Sequence, residues 1–126
     1  MNEKQHLSKI EHYLLSATMN DLEPLNVLYN EAMTRVEGAS LTRIIQGLLR
    51  LHAMGLVSCY FHDYKNDQSK PCVTLTAEEL ERHCSGRSEE QLRLHPTAEY
   101  HGEYEFEATP MGREEESRDV YDVYYP

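Results

Sequence analysis

The stretch LLRLHAMGLVSCYF, residues 48–61, changes its hydrophobic period at a single glycine. Before Gly55, apolar side chains recur every three or four residues, which is the spacing of one face of a helix. After Gly55, Val57, Cys59 and Phe61 alternate with more polar neighbours, which is the spacing of a strand. A glycine directly after a helix commonly adopts the left-handed conformation that ends it. The stretch therefore predicts a helix that passes through a glycine turn into a strand.

Upstream of this junction, three apolar stripes at helical spacing predict three helices. The first lies within residues 3–18, and the second follows potential N-caps at Asn20 and Asp21. The third follows an N-cap at Ser40. Its predicted buried face consists of Leu41, Ile44, Ile45, Leu48, Leu49 and His52.

A second alternating segment follows far downstream, at residues 103–108. One predicted face holds Tyr104, Phe106 and Ala108, and the other holds Glu103, Glu105 and Glu107. The natural antiparallel partner of this segment is residues 57–62. Capping-box sequences that begin at Thr76 and Ser88 predict two short helices in the long connection. Thr109-Pro110 then resembles the cap and first residue of a last helix.

The chain of 126 residues is short enough to be a single domain, residues 1–126. We divide it into a helical core with the first strand (5–62), an insertion (63–102), the second strand (103–108) and a C-terminal helix with a tail (109–126).

There is no long apolar run or signal peptide, and the three cysteines are odd in number and lack CxxC spacing. We therefore expect a cytoplasmic protein that does not associate with membranes.

The net charge of −10 is distributed unevenly along the chain. Residues 1–62 carry five basic and six acidic side chains, whereas residues 63–126 carry seven basic and sixteen acidic side chains. The C-terminal half therefore repels polyanions, and any surface that binds nucleic acid has to be a local patch.

Two motifs resemble segments of a known family. SLTRIIQGLLRLHAMGLVSCYF, residues 40–61, resembles the recognition helix and first wing strand of PadR-like and MarR-like bacterial transcriptional regulators. YEFEATPMGREEE, residues 104–116, resembles their second wing strand and the Thr-Pro-x-Gly-Arg turn that follows it. The resemblance implies a mainly α fold with a small β-sheet (α+β). The implied fold is a winged helix-turn-helix, here with a long helical insertion between the two wing strands.

The resemblance also implies a homodimer that reads double-stranded DNA with its third helix. The predicted reading face consists of Ser40, Thr42, Arg43, Gln46, Gly47 and Arg50. Arginine can read guanine, glutamine can read adenine, and hydroxyl groups can hold phosphate. Gly47 would leave room for a close approach to a groove, and Lys4, Lys9 and Arg35 could add phosphate contacts. Any solvated helix face can carry such residues, so the sequence leaves this assignment open.

A different interpretation is a winged-helix protein-interaction module that does not bind DNA and whose acidic C-terminal half binds a protein partner. The glutamates of residues 103–108 would then be a docking face for a basic protein instead of a solubilising surface. Tyrosines near both ends of the chain suggest self-association: Tyr13, Tyr121, Tyr124 and Tyr125.

We expect no enzymatic activity and no cofactor, because nucleophile, phosphate-loop and dinucleotide motifs are missing. His83, Cys84, Cys72, His95 and His101 also lack the local spacing of a metal site.

Overall fold

The computed structural model describes residues 7–19, 21–63, 65–84 and 102–116. The helices are α1 (Lys9–Ala17), α2 (Leu25–Arg35), α3 (Leu41–Ala53), α4 (Ala77–Cys84) and α5 (Pro110–Glu116). The strands are β1 (Glu23–Pro24), β2 (Val57–Asp63), β3 (Gln68–Pro71) and β4 (Gly102–Ala108). The predicted mixture of helices with a small sheet is confirmed. The helix expected from Ser88 and the tail with Tyr121, Tyr124 and Tyr125 lie outside the described residues.

Side-chain caps start most of the helices. The Ser8 hydroxyl accepts a hydrogen bond from the Glu11 amide at 3.2 Å, and the Glu11 carboxylate accepts one from the Ser8 amide at 2.9 Å. The predicted caps at Ser40 and Thr76 are confirmed, by bonds of 3.2 Å and 3.1 Å to amides three residues on. The second helix differs, because α2 starts after Pro24 with no side-chain cap, and the predicted cap at Asp21 is wrong.

The four strands form one antiparallel sheet in the order β1-β4-β2-β3. The predicted pairing of the two long strands is confirmed, with Val57 opposite Ala108 and Asp63 opposite Gly102. Two strands were not predicted from the sequence. Strand β1 is two residues long and pairs Glu23 with Phe106. Strand β3 folds back on β2 to form the β2–β3 hairpin.

The core lies where the first three helices meet the inner face of the sheet. Its fully buried side chains include Leu14 of α1, Leu28 and Tyr29 of α2, Ile45 and Leu48 of α3, and Phe106 of β4. Cys59 is 2% exposed and belongs to this core, as its position in the alternating segment predicts. Leu80, which is 0% exposed, joins α4 of the insertion to the same core.

The two motifs that suggested a family contact each other at the end of α3. Gly55 has a φ of +77°, the left-handed conformation predicted for it. The Thr109 amide donates to the Leu56 carbonyl at 2.9 Å, and the Thr109 hydroxyl donates to the Gly55 carbonyl at 2.7 Å. The same hydroxyl accepts from the Gly112 amide at 3.0 Å and so caps α5. These bonds fix the turn between α3 and β2 against the end of β4.

Candidate nucleic-acid interface

The exposed face of α3 is displaced around the helix from the predicted one. Thr42, Arg43 and Gln46 are exposed, and Ser40 is half-buried as the N-cap. Leu49, predicted to be buried, is only half-buried, and Ala53 is exposed. The centre of the outward face is therefore a nearly neutral stripe of Thr42, Gln46, Leu49 and Ala53, with Arg43 along one border.

Gly47 does not belong to this outward face, and its predicted role is wrong. The residue is buried, and a Cβ atom there would lie 3.0 Å from Leu14 Cδ1 and 3.4 Å from Glu11 Cγ. Both atoms belong to α1. The missing side chain therefore lets α1 pack closely on α3 instead of leaving room for a DNA groove.

Arg50 belongs to the predicted reading face, but its charge is paired within the protein. Its side chain is 39% exposed, and its guanidinium forms a salt bridge with the Glu11 carboxylate. Glu11 is 8% exposed and also accepts from the Ser8 amide, so one carboxylate caps α1 and fixes α1 to α3. A contact across 39 residues of chain cannot be predicted from the local pattern around Arg50.

The remaining cations near the start of α3 are Arg43, Lys9 and Arg35. Arg43 is exposed and donates from Nη1 to the Gly38 carbonyl at 3.4 Å. Lys9 and Arg43 line one shallow groove, and Lys9 and Arg35 line the next one along α1. Arg35 also interacts with the Tyr13 hydroxyl, whose pKa is raised by burial and by the nearby Glu31 carboxylate. Lys4 lies outside the described residues.

The β2–β3 hairpin supplies two more exposed cations, Lys65 and Lys70. Asp63 closes its turn. The Asp63 carboxylate accepts from the amides of Lys65 and Asn66 at 2.9 and 3.4 Å, and from Asn66 Nδ2 at 2.8 Å. These bonds lower the pKa of Asp63, chiefly through the Asn66 side chain.

Helix α4 brings carboxylates to the neighbourhood of α3. Leu80 packs into the core, and the outer surface of α4 carries Glu78, Glu79 and Glu81. The segment before α4 is fixed to α3 by a hydrogen bond of 3.2 Å between His52 Nε2 and the Cys72 carbonyl. His52 therefore has a hydrogen-bond partner on the inner side of α3, as its position on the apolar face predicts.

Glu103 does not lie on the open acidic face that the alternating pattern predicts. It is 0% exposed, and its Oε1 accepts from His83 Nε2 at 2.7 Å and from the Tyr104 amide at 3.1 Å. The His83 ring also makes edge contacts with Phe61 and Tyr104, with centroids 6.1 and 5.0 Å away. Helix α4 thus covers this end of β4. Glu105 and Glu107 remain half-exposed, and burial raises the pKa of Glu105.

The described residues contain no group of three or more His, Cys, Asp or Glu side chains that could hold a metal ion. His83 contacts Glu103 instead of joining a cluster with Cys72, and His95 and His101 lie outside the described residues. In the same part of the chain, none of the helices combines the length and the apolar character needed to cross a bilayer.

Comparison of the chain with protein-family models, with curated proteins and with solved structures gives no match in any of the three.

Proposed function

We propose that the protein is a winged-helix regulator that binds double-stranded DNA with α3 in the major groove and the β2–β3 hairpin along the phosphate backbone. The observation that carries this proposal is the order of its elements. A short strand between α1 and α2 pairs with β4, and α3 runs through the Gly55 turn into β2. This order resembles a helix-turn-helix followed by a wing, and one face of α3 is exposed, which supports the proposal.

Within this proposal, Gln46 and Arg43 are the side chains that read base edges. Thr42 and Ser40, near the start of α3, are placed to contact phosphate. Lys65 and Lys70 supply the phosphate contacts of the hairpin. Gly47 and Arg50 have structural roles and are not part of the proposed DNA surface.

Few phosphate contacts and a net charge of −10 make the proposed binding weak at physiological salt. Each neutralised phosphate contributes roughly −0.9 to the slope of log K against log salt, so the two lysines of the hairpin give a slope of about −2. Binding should therefore be sought at low ionic strength, where attraction by the local cations is strongest.

The test starts with selection from a random duplex library at ~50 mM salt, followed by titration of the enriched sequence. Arg43→Ala and Gln46→Ala should each weaken binding by roughly 1–3 kcal/mol if they read bases. Arg113→Ala is the matched control, because it removes the same charge from an exposed position on α5. If no sequence is enriched, or if Arg113→Ala weakens binding as much as Arg43→Ala, the proposal is wrong.

The second candidate function is a protein-interaction module, and the carboxylates of α4 favour it. Glu78 and Glu81 are exposed beside α3, and Arg50 is already neutralised by Glu11. Reversal of both glutamates to lysine separates the two functions. A DNA-binding protein should bind duplex more tightly after the change, whereas an interaction module should still show no duplex binding and should lose its basic protein partner.

We propose in addition that the regulator is a homodimer that associates through α1. The groove along this helix exposes parts of Lys9, His12, Tyr13 and Arg35 to solvent. Sedimentation over a wide micromolar range tests this. A Tyr13→Glu variant should shift the mass towards one chain, and a wild-type mass of one chain throughout would exclude the dimer.

A further inference from the structure

Two of the three cysteines lie opposite each other at the base of the β2–β3 hairpin. Regular pairing of β2 with β3 ends at Tyr60 and Pro71. The ladder continues by one step, because the Cys72 amide donates to the Cys59 carbonyl at 2.8 Å. Both side chains are free thiols. The register of the hairpin, and not proximity in sequence, brings them together.

The separation expected for this pair suits a disulfide. Residues that face each other in a hydrogen-bonded antiparallel pair have Cα atoms about 5.5 Å apart. Disulfides form across Cα separations of roughly 4.4–6.8 Å. Their side chains lie on the same face of the sheet, because the two residues are directly opposite in the register. Little backbone movement is therefore needed to join the two sulfur atoms.

The two thiols differ in access. Cys59 is 2% exposed beneath the sheet, whereas Cys72 is half-buried at the surface. Burial raises the pKa of both thiols, but a hydrogen bond from Cys59 offsets part of this rise at Cys72. Cys72 is consequently the thiol that a small oxidant in solution reaches first and that ionises more readily.

We propose that Cys59 and Cys72 are a redox pair that closes into a disulfide across the base of the β2–β3 hairpin. The oxidant is a small disulfide such as oxidised glutathione. The Cys72 thiolate attacks one of its sulfur atoms and releases one thiolate, which leaves a mixed disulfide on Cys72. The Cys59 sulfur then attacks the Cys72 sulfur and releases the second thiolate. Two electrons reduce one small disulfide to two thiols, which take up the two protons lost by the cysteines.

Closure would covalently fix the exposed edge strand β3 to β2, which lies inside the sheet. Strand β3 is otherwise held by ladder hydrogen bonds along one edge and by a hydrogen bond of 2.9 Å between His62 Nδ1 and Ser69 Oγ, and its four residues are exposed. Oxidation should therefore slow amide exchange in residues 68–70 more than in α1 or α2. The disulfide would form whether or not the protein binds DNA.

The experiment uses the reduced full-length chain, incubated with excess oxidised glutathione and then alkylated under denaturing conditions. Trypsin separates the three cysteines, because it cuts after Arg50, Lys65 and Arg82 but not between Lys70 and Pro71. We expect one new species in a non-reduced digest, in which peptide 51–65 is linked to peptide 66–82. The initial rate should rise with pH, because the thiolate fraction of Cys72 increases.

Cys84→Ser is the matched control, since it keeps the pair and should still lose both remaining thiols without gaining mass from alkylation. Cys72→Ser should form no disulfide within the chain. The inference is overturned if the main linked species contains Cys84, if it joins two chains, or if glutathione stays on Cys72 without release. It is equally overturned if both thiols of Cys84→Ser remain alkylatable.

Discussion

The antiparallel ribbon formed by β2 and β4 is closed in different ways at its two ends. At the near end, where Val57 pairs with Ala108, the Thr109 amide and hydroxyl bind the carbonyls of Leu56 and Gly55. At the far end, the buried Glu103 carboxylate binds His83 of α4. The near end thus depends on backbone groups and one hydroxyl, and the far end depends on two titratable side chains.

Both ends also contain a glycine against a backbone carbonyl. A Cβ atom at Gly112 would lie 2.0 Å from the Leu56 oxygen, and one at Gly102 would lie 2.1 Å from the His62 oxygen. Such positions tolerate no side chain unless the backbone moves. The comparison therefore indicates that close backbone packing is common to both ends, whereas the polar contacts that complete them differ.

The largest effect is expected from Gly112→Ala, which should lower the free energy of unfolding by about 3 kcal/mol or more. In most helices this change stabilises by up to about 1 kcal/mol, so a loss here would be diagnostic. Gly47→Ala is the matched control, because its Cβ would meet the movable side chains of Leu14 and Glu11. It should stay within about 1 kcal/mol of wild type in urea unfolding.

Gly102→Ala extends this test to the far end, where a loss similar to that of Gly112→Ala is expected. The added Cβ would also lie 2.7 Å from the Phe61 ring. If Gly102→Ala is tolerated while Gly112→Ala is not, the far end is pliable, and the similarity between the two ends does not hold.

The next largest effect is expected at Glu103. Glu103→Ala leaves the His83 ring and the Tyr104 amide without this acceptor, which should cost roughly 2–3 kcal/mol. Glu103→Gln keeps one acceptor oxygen and should cost about 1 kcal/mol or less. Glu107→Ala, at a half-exposed position of the same strand, should change stability by no more than about 0.5 kcal/mol. Equal losses in Glu103→Ala and Glu107→Ala would mean that the buried pair does not stabilise the far end.

The near end could largely be predicted from the sequence because its contacts belong to local patterns. The period changes at Gly55, and Thr109-Pro110 is a recognisable start of a helix. The capping box at Thr76 similarly predicted α4. Each of these signals lies within a few residues of the feature that it predicts.

The far end and the α1-facing side of α3 could not be predicted in this way. Alternation along β4 separates two faces, but it does not say that an inserted helix covers Glu103. Helical spacing likewise places Gly47 and Arg50 opposite several buried residues, but it does not say which neighbouring helix packs there. The partners of Glu103 and Arg50 are 20 and 39 residues away in the chain. Only the packing of whole elements brings these groups together.

A smaller effect is expected from Thr109→Val at the near end. The change keeps the shape of the side chain but removes the donor to Gly55 and the acceptor for the Gly112 amide. We expect a loss of about 1–2 kcal/mol in the free energy of unfolding. Thr109→Ser retains the hydroxyl and should lose less than about 0.5 kcal/mol. If Thr109→Val costs no more than Thr109→Ser, the backbone bond to Leu56 alone holds the near end.

The smallest effect is expected from Glu105→Gln in the middle of the ribbon, away from both closures. Burial raises the pKa of Glu105, His62 lowers it in part, and Glu103 raises it further. Because the folded-state pKa lies above the unfolded value of about 4.3, the fold favours the protonated carboxyl. This contribution is complete below pH ~4.3 and is lost as the pH rises through the folded-state value. Neutral glutamine avoids that loss.

Glu105→Gln should therefore be more stable than wild type at pH 7 by only about 0.5 kcal/mol, because the side chain is partly solvated. The difference should disappear towards pH 4, and urea unfolding at both pH values measures it. Glu23→Gln, on the neighbouring strand β1, should change stability in the same direction. Burial raises the pKa of Glu23 most, and the negative charges of Glu31 and Asp21 raise it further. A gain that is equal at pH 4 and pH 7 would point to the amide's own hydrogen bonds and not to the buried charge. In that case the middle of the ribbon would be stabilised, like its ends, by specific polar contacts.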